Sequence, residues 1–167
     1  MVHPELETER LRLRFWRESD VEPLLAFYRD PQSTAVFGEC VKRSDVWRRT
    51  ALFVGQWELR GFGPWALEDK RTGNFAGFCG LWFPEGWDDI EIGYGIAPEF
   101  RGLGYAVEAG KRVRDHGYRE RGFKRLVSYI NPQNKASLRV AEKLSAIRDG
   151  EFLLNDKPHL VYLHAKH

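Results

Sequence analysis

Hydrophobic and polar residues follow one another with a period that changes from segment to segment along the chain. Leu11–Trp16 alternates apolar and polar positions, which is typical of a half-buried strand. Asp20 is a helix-capping residue type, and the apolar residues behind it recur at helical spacing until Pro31. A second cap, at Asp45, opens a helix to about Arg60. The chain is thus predicted to begin with a strand and two helices.

The rest of the chain alternates between strand-like and helix-like spacing. Helices are predicted from the turn at 101–106 to about Arg121 and from Asn134 to Leu144. Polar turns at 69–73 and 155–157 are short enough to close hairpins. Strands are predicted, in order, at Pro64–Glu68, Asn74–Phe83, Ile90–Ile96, Leu126–Ile130, Ile147–Leu154 and Leu160–His164.

The resulting order of elements, β-α-α-β-β-β-α-β-α-β-β, defines the predicted fold class. Hairpins give antiparallel pairs and the single βαβ unit gives one parallel pair, so we expect a mixed sheet. The predicted fold is α+β (mixed α/β), with a central sheet of about seven strands flanked by four helices. No repeat, low-complexity tract or linker interrupts the pattern, and residues 1–167 are predicted to form one domain.

Composition narrows the classes of function. Hydrophobic residues make up 43% of the chain and charged residues 30%, as in ordinary soluble domains. A formal net charge of +2 is too small to predict a nucleic-acid partner. The chain has neither an apolar run of ~20 residues nor an apolar N-terminal stretch, so we expect a cytoplasmic protein with no membrane partner. Cys40 and Cys79 have no histidine at ligand spacing, so we expect reduced thiols and no metal site.

A glycine-rich turn stands between the strand that ends at Ile96 and the long helix, and its sequence is Arg101-Gly102-Leu103-Gly104-Tyr105-Ala106. Small residues let backbone N–H groups approach a ligand, and the first turn of a helix adds unpaired donors and the positive end of its dipole. Arg101 adds a positive charge at the rim. The turn is therefore predicted to bind an anion, and phosphate is the usual occupant of such sites.

Other interpretations of this turn compete with anion binding. The glycines could serve only to reverse the chain. A Rossmann dinucleotide site is disfavoured, because it would want a small residue where Val107 stands and an acid where Asn131 stands. A Walker loop would need Gly-Lys-Ser/Thr, which the turn lacks. The residues around the turn decide between these alternatives.

Those surrounding motifs resemble the GNAT superfamily of N-acetyltransferases. Residues 101–106 fit its pyrophosphate motif, Gln/Arg-x-x-Gly-x-Gly/Ala, and follow a strand as the motif requires. Glu91–Ile96 resembles the fourth strand of the family, and Pro132–Leu144 resembles its Asn-x-x-Ser helix. Thr8–Arg14 and Asp69–Gly73 are similar to segments of the RimJ/RimL branch, the ribosomal-protein N-terminal acetyltransferases. The resemblance covers nearly the whole chain, in the same order.

The resemblance implies that acetyl-CoA is a co-substrate, with its pantetheine arm between two splayed strands. Gly95 and Ile96 would line the arm, and Asn134 would hydrogen-bond it. Gly93 and Gly95 could also mark a bulge or a tight packing position, and Asn134 is a good helix cap in its own right. The pyrophosphate would be held by the turn, which comprises Arg101, Gly102, Leu103, Gly104, Tyr105 and Ala106.

Two residues are predicted by the same resemblance to carry the chemistry. Acceptor amines are mostly protonated at neutral pH, and Glu91 resembles the strand-four glutamate that serves as base in several relatives. Glu91 could also be an exposed strand acid in a surface pair, with Asp88 and Asp89 as weaker alternatives for the base. Ser137 would protonate the departing thiolate. Tyr129 is a further thiol partner, although a strand tyrosine is more often a packing residue.

The acceptor site is expected near the first two helices and the entrance to the fourth strand. Aromatic residues concentrate there, and the loop Trp82–Trp87 is the expected pocket wall; the set comprises Trp47, Phe53, Trp57, Trp82, Phe83 and Trp87. One departure from the family pattern follows the serine helix. Ser145 and Ala146 stand where relatives have glycine and phenylalanine, which removes a helix-ending glycine.

Two functions from different classes follow from the sequence. The first is an N-acetyltransferase that moves the acetyl group of acetyl-CoA to a primary amine, on a protein N-terminus or a small molecule, in a ternary complex. The second is a catalytically silent coenzyme A-binding module with a regulatory role. A monomer or a homodimer is expected in either case.

Overall fold

The computed structural model describes residues 3–38, 42–154 and 156–166. Within them, eight strands form one sheet in the order β1-β2-β3-β4-β5-β6-β8-β7. The strands are β1 (Leu6–Glu7), β2 (Leu11–Arg14), β3 (Pro64–Asp69), β4 (Phe75–Trp82), β5 (Ile90–Ile96), β6 (Leu126–Ile130), β7 (Ile147–Leu154) and β8 (Lys157–Leu163). The α-helices are α1 (Val21–Arg29), α2 (Pro31–Phe37), α3 (Arg43–Arg60), α4 (Tyr105–Asp115) and α5 (Lys135–Lys143).

The predicted α+β class and order of elements are confirmed, with two additions. A two-residue strand, β1, pairs with β2 at the sheet edge. Helix α2 starts where the sequence predicted only the end of α1. Asp30 accepts a hydrogen bond from the Ser33 N–H at 3.0 Å, and Pro31 occupies the first turn, where its missing N–H is not needed. The sheet therefore has eight described strands rather than about seven, and the described α-helices number five rather than four.

The long helix after the glycine turn changes geometry before its end. It is α-helical to Asp115 and continues as a π-helix over His116–Glu120, close to the predicted end at Arg121. At the other hairpin, β8 begins at Lys157, and Asn155 of the predicted turn lies outside the described residues, as does Cys40. No helix of the described ranges combines the length and apolar character required to cross a bilayer.

The sheet separates two hydrophobic layers. On one face α4 packs against β2 to β5, where Leu11, Leu67 and Val113 are fully buried. On the opposite face α1 and α3 cover the sheet, with Leu24 and Phe78 in a second cluster. Burial of this kind stabilises the fold by roughly 25 cal/mol for each Å² of apolar surface removed from water. The helices thus lie on both faces of the sheet, as a mixed α+β layer arrangement requires.

The sheet opens along one line, between β5 and β6. These strands are the parallel pair, and their ladder joins only Ile90 to Leu126 and Glu91 to Val127. The next contact is made by a side chain, because the Ser128 hydroxyl donates to the Ile92 carbonyl at 2.8 Å. From Gly93 onward, no β6 residue pairs with β5 in the described register. The edge of β5 is therefore open to a ligand in its second half.

Candidate active site

Two clefts meet beside the open edge of β5. The first, of about 370 Å³, extends from Gly95 and Ile96 to the glycine turn and α5, and we call it the turn cleft. The second, of about 350 Å³, contains Glu91 and Gly93, and we call it the acid cleft. The two clefts share five of their lining residues, which are Val36, Phe37, Tyr94, Asn134 and Ser137. Groups bound in the two clefts would meet at this junction.

The turn has the backbone conformation that an anion site needs. Gly102 and Gly104 have φ of +78° and +83°, a left-handed region that favours glycine. Gly104 is the N-cap residue of α4 and has no side chain to bond the first amides of the helix. A Cβ added at Gly102 would meet no atom within 4 Å. Gly104, Tyr105 and Ala106 line the turn cleft, so the start of α4 borders an open space, which fits a phosphate group.

Two distant segments hold this turn in place. The Arg10 Nη1 donates to the Leu103 carbonyl at 2.9 Å, and its Nε donates to Glu108 in the first turn of α4 at 2.7 Å. The Tyr105 hydroxyl donates to Asp69 in the β3–β4 hairpin, and this hydrogen bond holds the pKa of Asp69 below its usual value. The segments Thr8–Arg14 and Asp69–Gly73, which the sequence linked to one branch of relatives, thus both contact the start of α4. Sequence reasoning missed this connection.

Arg101 lies in the turn cleft, but its guanidinium contacts α2. Its Nη2 lies 2.8 Å from Asp30 and donates to the Ser33 hydroxyl at 2.7 Å, and its Nε donates to the Ile96 carbonyl at 3.2 Å. The ion pair lowers the pKa of Asp30. The charge of Arg101 is therefore balanced within the protein, and the side chain fastens α2 to the end of β5.

Two other cations line the turn cleft. Arg139 and Lys143 lie on α5, across the cleft from the glycine turn, and both are exposed. They share a helix face because they are four residues apart. The sequence did not single them out, since basic residues on an exposed helix face are common on protein surfaces.

Glu91 lies in the acid cleft, and no ion pair to it occurs within the described parts of the chain. Burial raises the pKa of its carboxyl to about 8, although the Tyr129 backbone N–H bonds it and acts in the opposite direction. Gly93 leaves space beside it, since a Cβ there would stand 3.5 Å from the Glu91 Oε2. The alternative acids lie elsewhere: Asp88 is exposed and Asp89 pairs with Arg125 at 2.9 Å. A carboxyl with this pKa can exchange a proton near neutral pH.

Asn134 and Ser137 are hydrogen-bonded to each other at the junction. The Asn134 Oδ1 accepts from the Ser137 N–H at 3.1 Å and so caps α5. The Asn134 Nδ2 donates to the Ser137 Oγ at 2.8 Å, which leaves the serine hydroxyl proton available to another acceptor. The Tyr94 hydroxyl donates to the Ser137 carbonyl at 3.2 Å, and burial raises the pKa of Tyr94. Asn134 therefore caps α5, as predicted, and also lies at the junction of the two clefts.

The aromatic residues expected near the acceptor separate into two groups. Phe53, Trp82 and Trp87 line the acid cleft together with Tyr129, whose pKa burial raises to about 12. Trp57 is part of the buried core instead. Trp47 and Phe83 line neither cleft. The loop 82–87, which was predicted to form a pocket wall, therefore contributes Trp82 and Trp87 to the lining of the acid cleft.

Gly95 has a packing role beside its predicted role in binding. A Cβ at this position would stand 2.7 Å from ring atoms of Phe78 and 2.8 Å from Phe27, closer than packed atoms approach. The absent side chain lets the two rings lie against β5. Gly95 and Ile96 both line the turn cleft, so the packing interpretation and the ligand interpretation apply to the same strand.

The departure after the serine helix leaves α5 intact. Ser145 takes the left-handed conformation of the missing glycine, with φ of 57°. Ala146 is buried and packs with Ile130 and Ala141. In the described ranges, histidine, cysteine and acidic side chains form no group of three that could hold a metal ion.

Comparison with known proteins identifies the family. The model of the acetyltransferase (GNAT) domain matches residues 10–146. The uncharacterized protein YkkB of Bacillus subtilis (strain 168) is 36% identical over 166 residues, which cover 94% of this chain and 93% of that protein. A crystal structure of an acetyltransferase from Agrobacterium tumefaciens str. C58 has a TM-score of 0.90 at 28% identity and covers 99% of this chain and 96% of its own.

A more distant structure shares the fold and was solved with coenzyme A. It is RimL, a ribosomal L7/L12 alpha-N-protein acetyltransferase, with a TM-score of 0.78 at 19% identity over 98% of this chain and 97% of its own. The family match spans most of the chain, including β5, the glycine turn and α5. This protein therefore belongs to the GNAT family and is an acetyl-CoA-dependent acetyltransferase.

Proposed function

We propose that this enzyme transfers the acetyl group of acetyl-CoA to the nitrogen of a primary amine, by direct attack while both substrates are bound. The junction of the two clefts carries the proposal. One cleft ends at the glycine turn, the other contains a carboxyl with a raised pKa, and five residues line both. Two substrates bound from opposite sides would bring their reacting groups together there.

The turn cleft would hold coenzyme A. The pyrophosphate would accept hydrogen bonds from the amides of Leu103, Gly104, Tyr105 and Ala106, with Gly102 giving the backbone its close approach. Arg139 and Lys143 supply positive charge across the cleft. The pantetheine arm would lie along Gly95 and Ile96, on the strand edge that β6 leaves open. Bound in this way, acetyl-CoA supplies an activated acyl group at the junction.

Glu91 would act as the general base. An acceptor ammonium has to lose a proton before its nitrogen can attack a carbonyl carbon. The Glu91 carboxylate can take that proton, directly or through a water, and its pKa of about 8 makes the transfer less unfavourable than it would be to an ordinary glutamate. The backbone N–H groups at the open edge of β5 would donate to the carbonyl oxygen as negative charge develops on it.

Ser137 would act as the general acid. Its Oγ already accepts a hydrogen bond from Asn134 at 2.8 Å, so its own proton is directed toward another partner. The departing thiolate is that partner in the proposed mechanism. Asn134 serves as the positioning residue for Ser137, in addition to capping α5.

Direct attack is preferred to an acetyl-enzyme intermediate because the described cysteine is badly placed. Cys79 is fully buried in the core, and burial raises the pKa of its thiol. A buried thiol with a raised pKa is a poor nucleophile at neutral pH. Cys79 also lines neither cleft.

The test is acceptor-dependent release of free coenzyme A. The purified chain is incubated with acetyl-CoA and a panel of primary amines and peptides, and thiol release is followed with and without each acceptor. We expect faster release with at least one amine and no acetylated protein in intact mass spectra. Release that no amine accelerates, despite binding of acetyl-CoA, would point to the silent binding module instead.

The panel also decides between the two acceptor classes. The motifs shared with the RimJ/RimL branch favour a protein N-terminus, whereas the small volume of the acid cleft favours a small molecule. Peptides and small amines are therefore compared at equal concentrations of unprotonated amine.

A further inference from the structure

The walls of the acid cleft are aromatic. Phe53 and Trp82 meet edge to face with ring centroids 5.5 Å apart, and Trp87 and Tyr129 meet in the same way at 5.0 Å. All four rings line the cleft. Such surfaces contribute binding energy in proportion to the apolar area that a ligand covers. The main body of the acceptor is therefore expected to be apolar or aromatic.

The acid cleft offers little negative charge. Glu91 is the one acidic side chain among its described lining residues, and burial raises the pKa of its carboxyl. A polyamine would need several carboxylates to balance its charges once water is removed. The cleft is poorly suited to a polycation for this reason.

One arginine that lines the acid cleft, Arg49, forms no ion pair with any acid in the described parts of the chain. The Arg49 guanidinium lies over the Tyr28 ring at 4.6 Å from its centroid, and no carboxylate of residues 3–38, 42–154 or 156–166 forms an ion pair with it. It is half-buried. The neighbouring Arg48 differs on both counts, since it is exposed and pairs with Asp45 at 2.8 Å. Arg49 is therefore placed to receive an anionic group by paired hydrogen bonds.

We infer that the acceptor is a small amine whose nitrogen is separated by an aromatic or apolar core from an anionic group, which Arg49 binds. The inference rests on the proposed function, because it takes the acid cleft as the acceptor site. The cleft volume of about 350 Å³ lies near the lower end for ligand sites and suits a molecule with one ring. Arg49 thus acts as a specificity-determining residue and takes no part in proton transfer.

The test uses three acceptors that differ only at the end remote from the amine. They are 4-(aminomethyl)benzoate, 4-(aminomethyl)benzamide and p-xylylenediamine, which present an anion, a neutral amide and a cation. Spermidine and a short peptide with a free N-terminus complete the set. We expect kcat/KM to be about tenfold higher for the benzoate than for the benzamide, because a charge-assisted hydrogen bond to Arg49 accounts for a factor of about ten. The diamine should have a lower kcat/KM than the benzamide.

Variants of Arg49 connect the preference to this side chain. Arg49→Met keeps the apolar contact with Tyr28 and should reduce the benzoate-to-benzamide ratio about tenfold, to near one. Arg49→Lys should restore part of the preference. Arg48→Met is the matched control and should leave the ratio unchanged. Melting temperatures and acetyl-CoA affinity establish that each variant is folded.

The outcomes separate this inference from the function on which it rests. An equal or higher kcat/KM for the diamine, spermidine or the peptide overturns the acceptor class and leaves the acetyltransferase proposal standing. An unchanged ratio in Arg49→Met overturns the role of Arg49. Absence of amine-dependent thiol release from every acceptor overturns both proposals.

Discussion

The two clefts beside β5 are built from different parts of the chain. The largest single part of the turn cleft comes from one continuous segment, residues 95–107, with α2 and α5 alongside, and its proposed donors are backbone amides. The acid cleft collects side chains from α1, α2, α3, α5 and six strands, β3 to β8. A binding site made of backbone groups can be recognised from the spacing of glycines, because glycine adopts the left-handed conformation with the least strain. A site made of side chains from many separate elements has no comparable pattern in the sequence.

The largest expected effect comes from the backbone cleft. Gly104→Val should weaken acetyl-CoA binding about 100-fold or more, because a β-branched residue is strained at φ of +83° and would displace the first turn of α4. Isothermal titration calorimetry measures the affinity. Gly122→Val is the matched control, since Gly122 has φ of +68° in the loop after the π-helix and lines neither cleft. Equal loss of affinity in both variants would contradict a local role for the turn.

A substitution in the acid cleft should affect catalysis more than the binding of acetyl-CoA. Glu91→Gln should lower kcat/KM about 100-fold and leave acetyl-CoA affinity within about threefold. For the wild type, kcat/KM should rise with pH through about 8, as the Glu91 carboxylate forms, and this limb should disappear in the variant. A pH profile with the same limb in both proteins would assign it to the amine rather than to Glu91.

The same residue should make stability depend on pH in a defined direction. The folded state holds the Glu91 proton up to a pKa of about 8, whereas the unfolded chain releases it near the ordinary glutamate pKa of 4.5. Folded protein therefore binds more protons in this interval, and the free energy of unfolding should fall as pH rises from about 5 to 8. Glu91→Gln should remove this fall. Urea unfolding at pH 5.5 and 8 measures it.

A smaller effect is expected where the clefts meet. Ser137→Ala should lower kcat about tenfold, because the thiolate then leaves without a positioned proton donor. The variant retains the backbone N–H of residue 137, which donates a hydrogen bond to the Asn134 side chain. Helix α5 should therefore remain capped, and acetyl-CoA affinity should change little. Single-turnover kinetics separates the chemical step from product release. An unchanged rate of the chemical step would remove Ser137 from the mechanism.

The smallest effect concerns the helix that supports the junction. Ser145→Gly should stabilise the protein by about 0.5–1 kcal/mol, because glycine adopts the left-handed conformation at φ of 57° without steric strain. Ser145→Ala keeps the strain and is the control. Activity should remain the same in both variants, since α5 already begins and ends normally. Thermal unfolding and the thiol-release assay test the two statements.

The fold was largely predictable, and the two omissions have local causes. Strand β1 has two residues, too few to show a period, and it forms because β2 offers an edge. Helix α2 begins at Pro31, a residue that both ends one helix and suits the first turn of the next. The periodic elements, by contrast, were recognised because each buries one face.

The candidate site was predictable only in its location. Glu91, Asn134 and Ser137 were identified through the family motifs, and the structure brings all three to the acid cleft. Arg101 was predicted to offer charge to a ligand, whereas Asp30 balances that charge in the structure. The partner of an arginine depends on which loops meet in space, and no spacing along the chain records that.

The order of strands and helices and the glycine turn were decided by the sequence itself, because periodicity and backbone freedom are properties of neighbouring residues. Only the tertiary structure decided the raised pKa of Glu91 and the contacts of Arg49. A pKa depends on how much water the fold removes from around the carboxyl, and the contacts of an arginine depend on which side chains the fold places beside it. Both are properties of residues far apart in the chain that folding brings together.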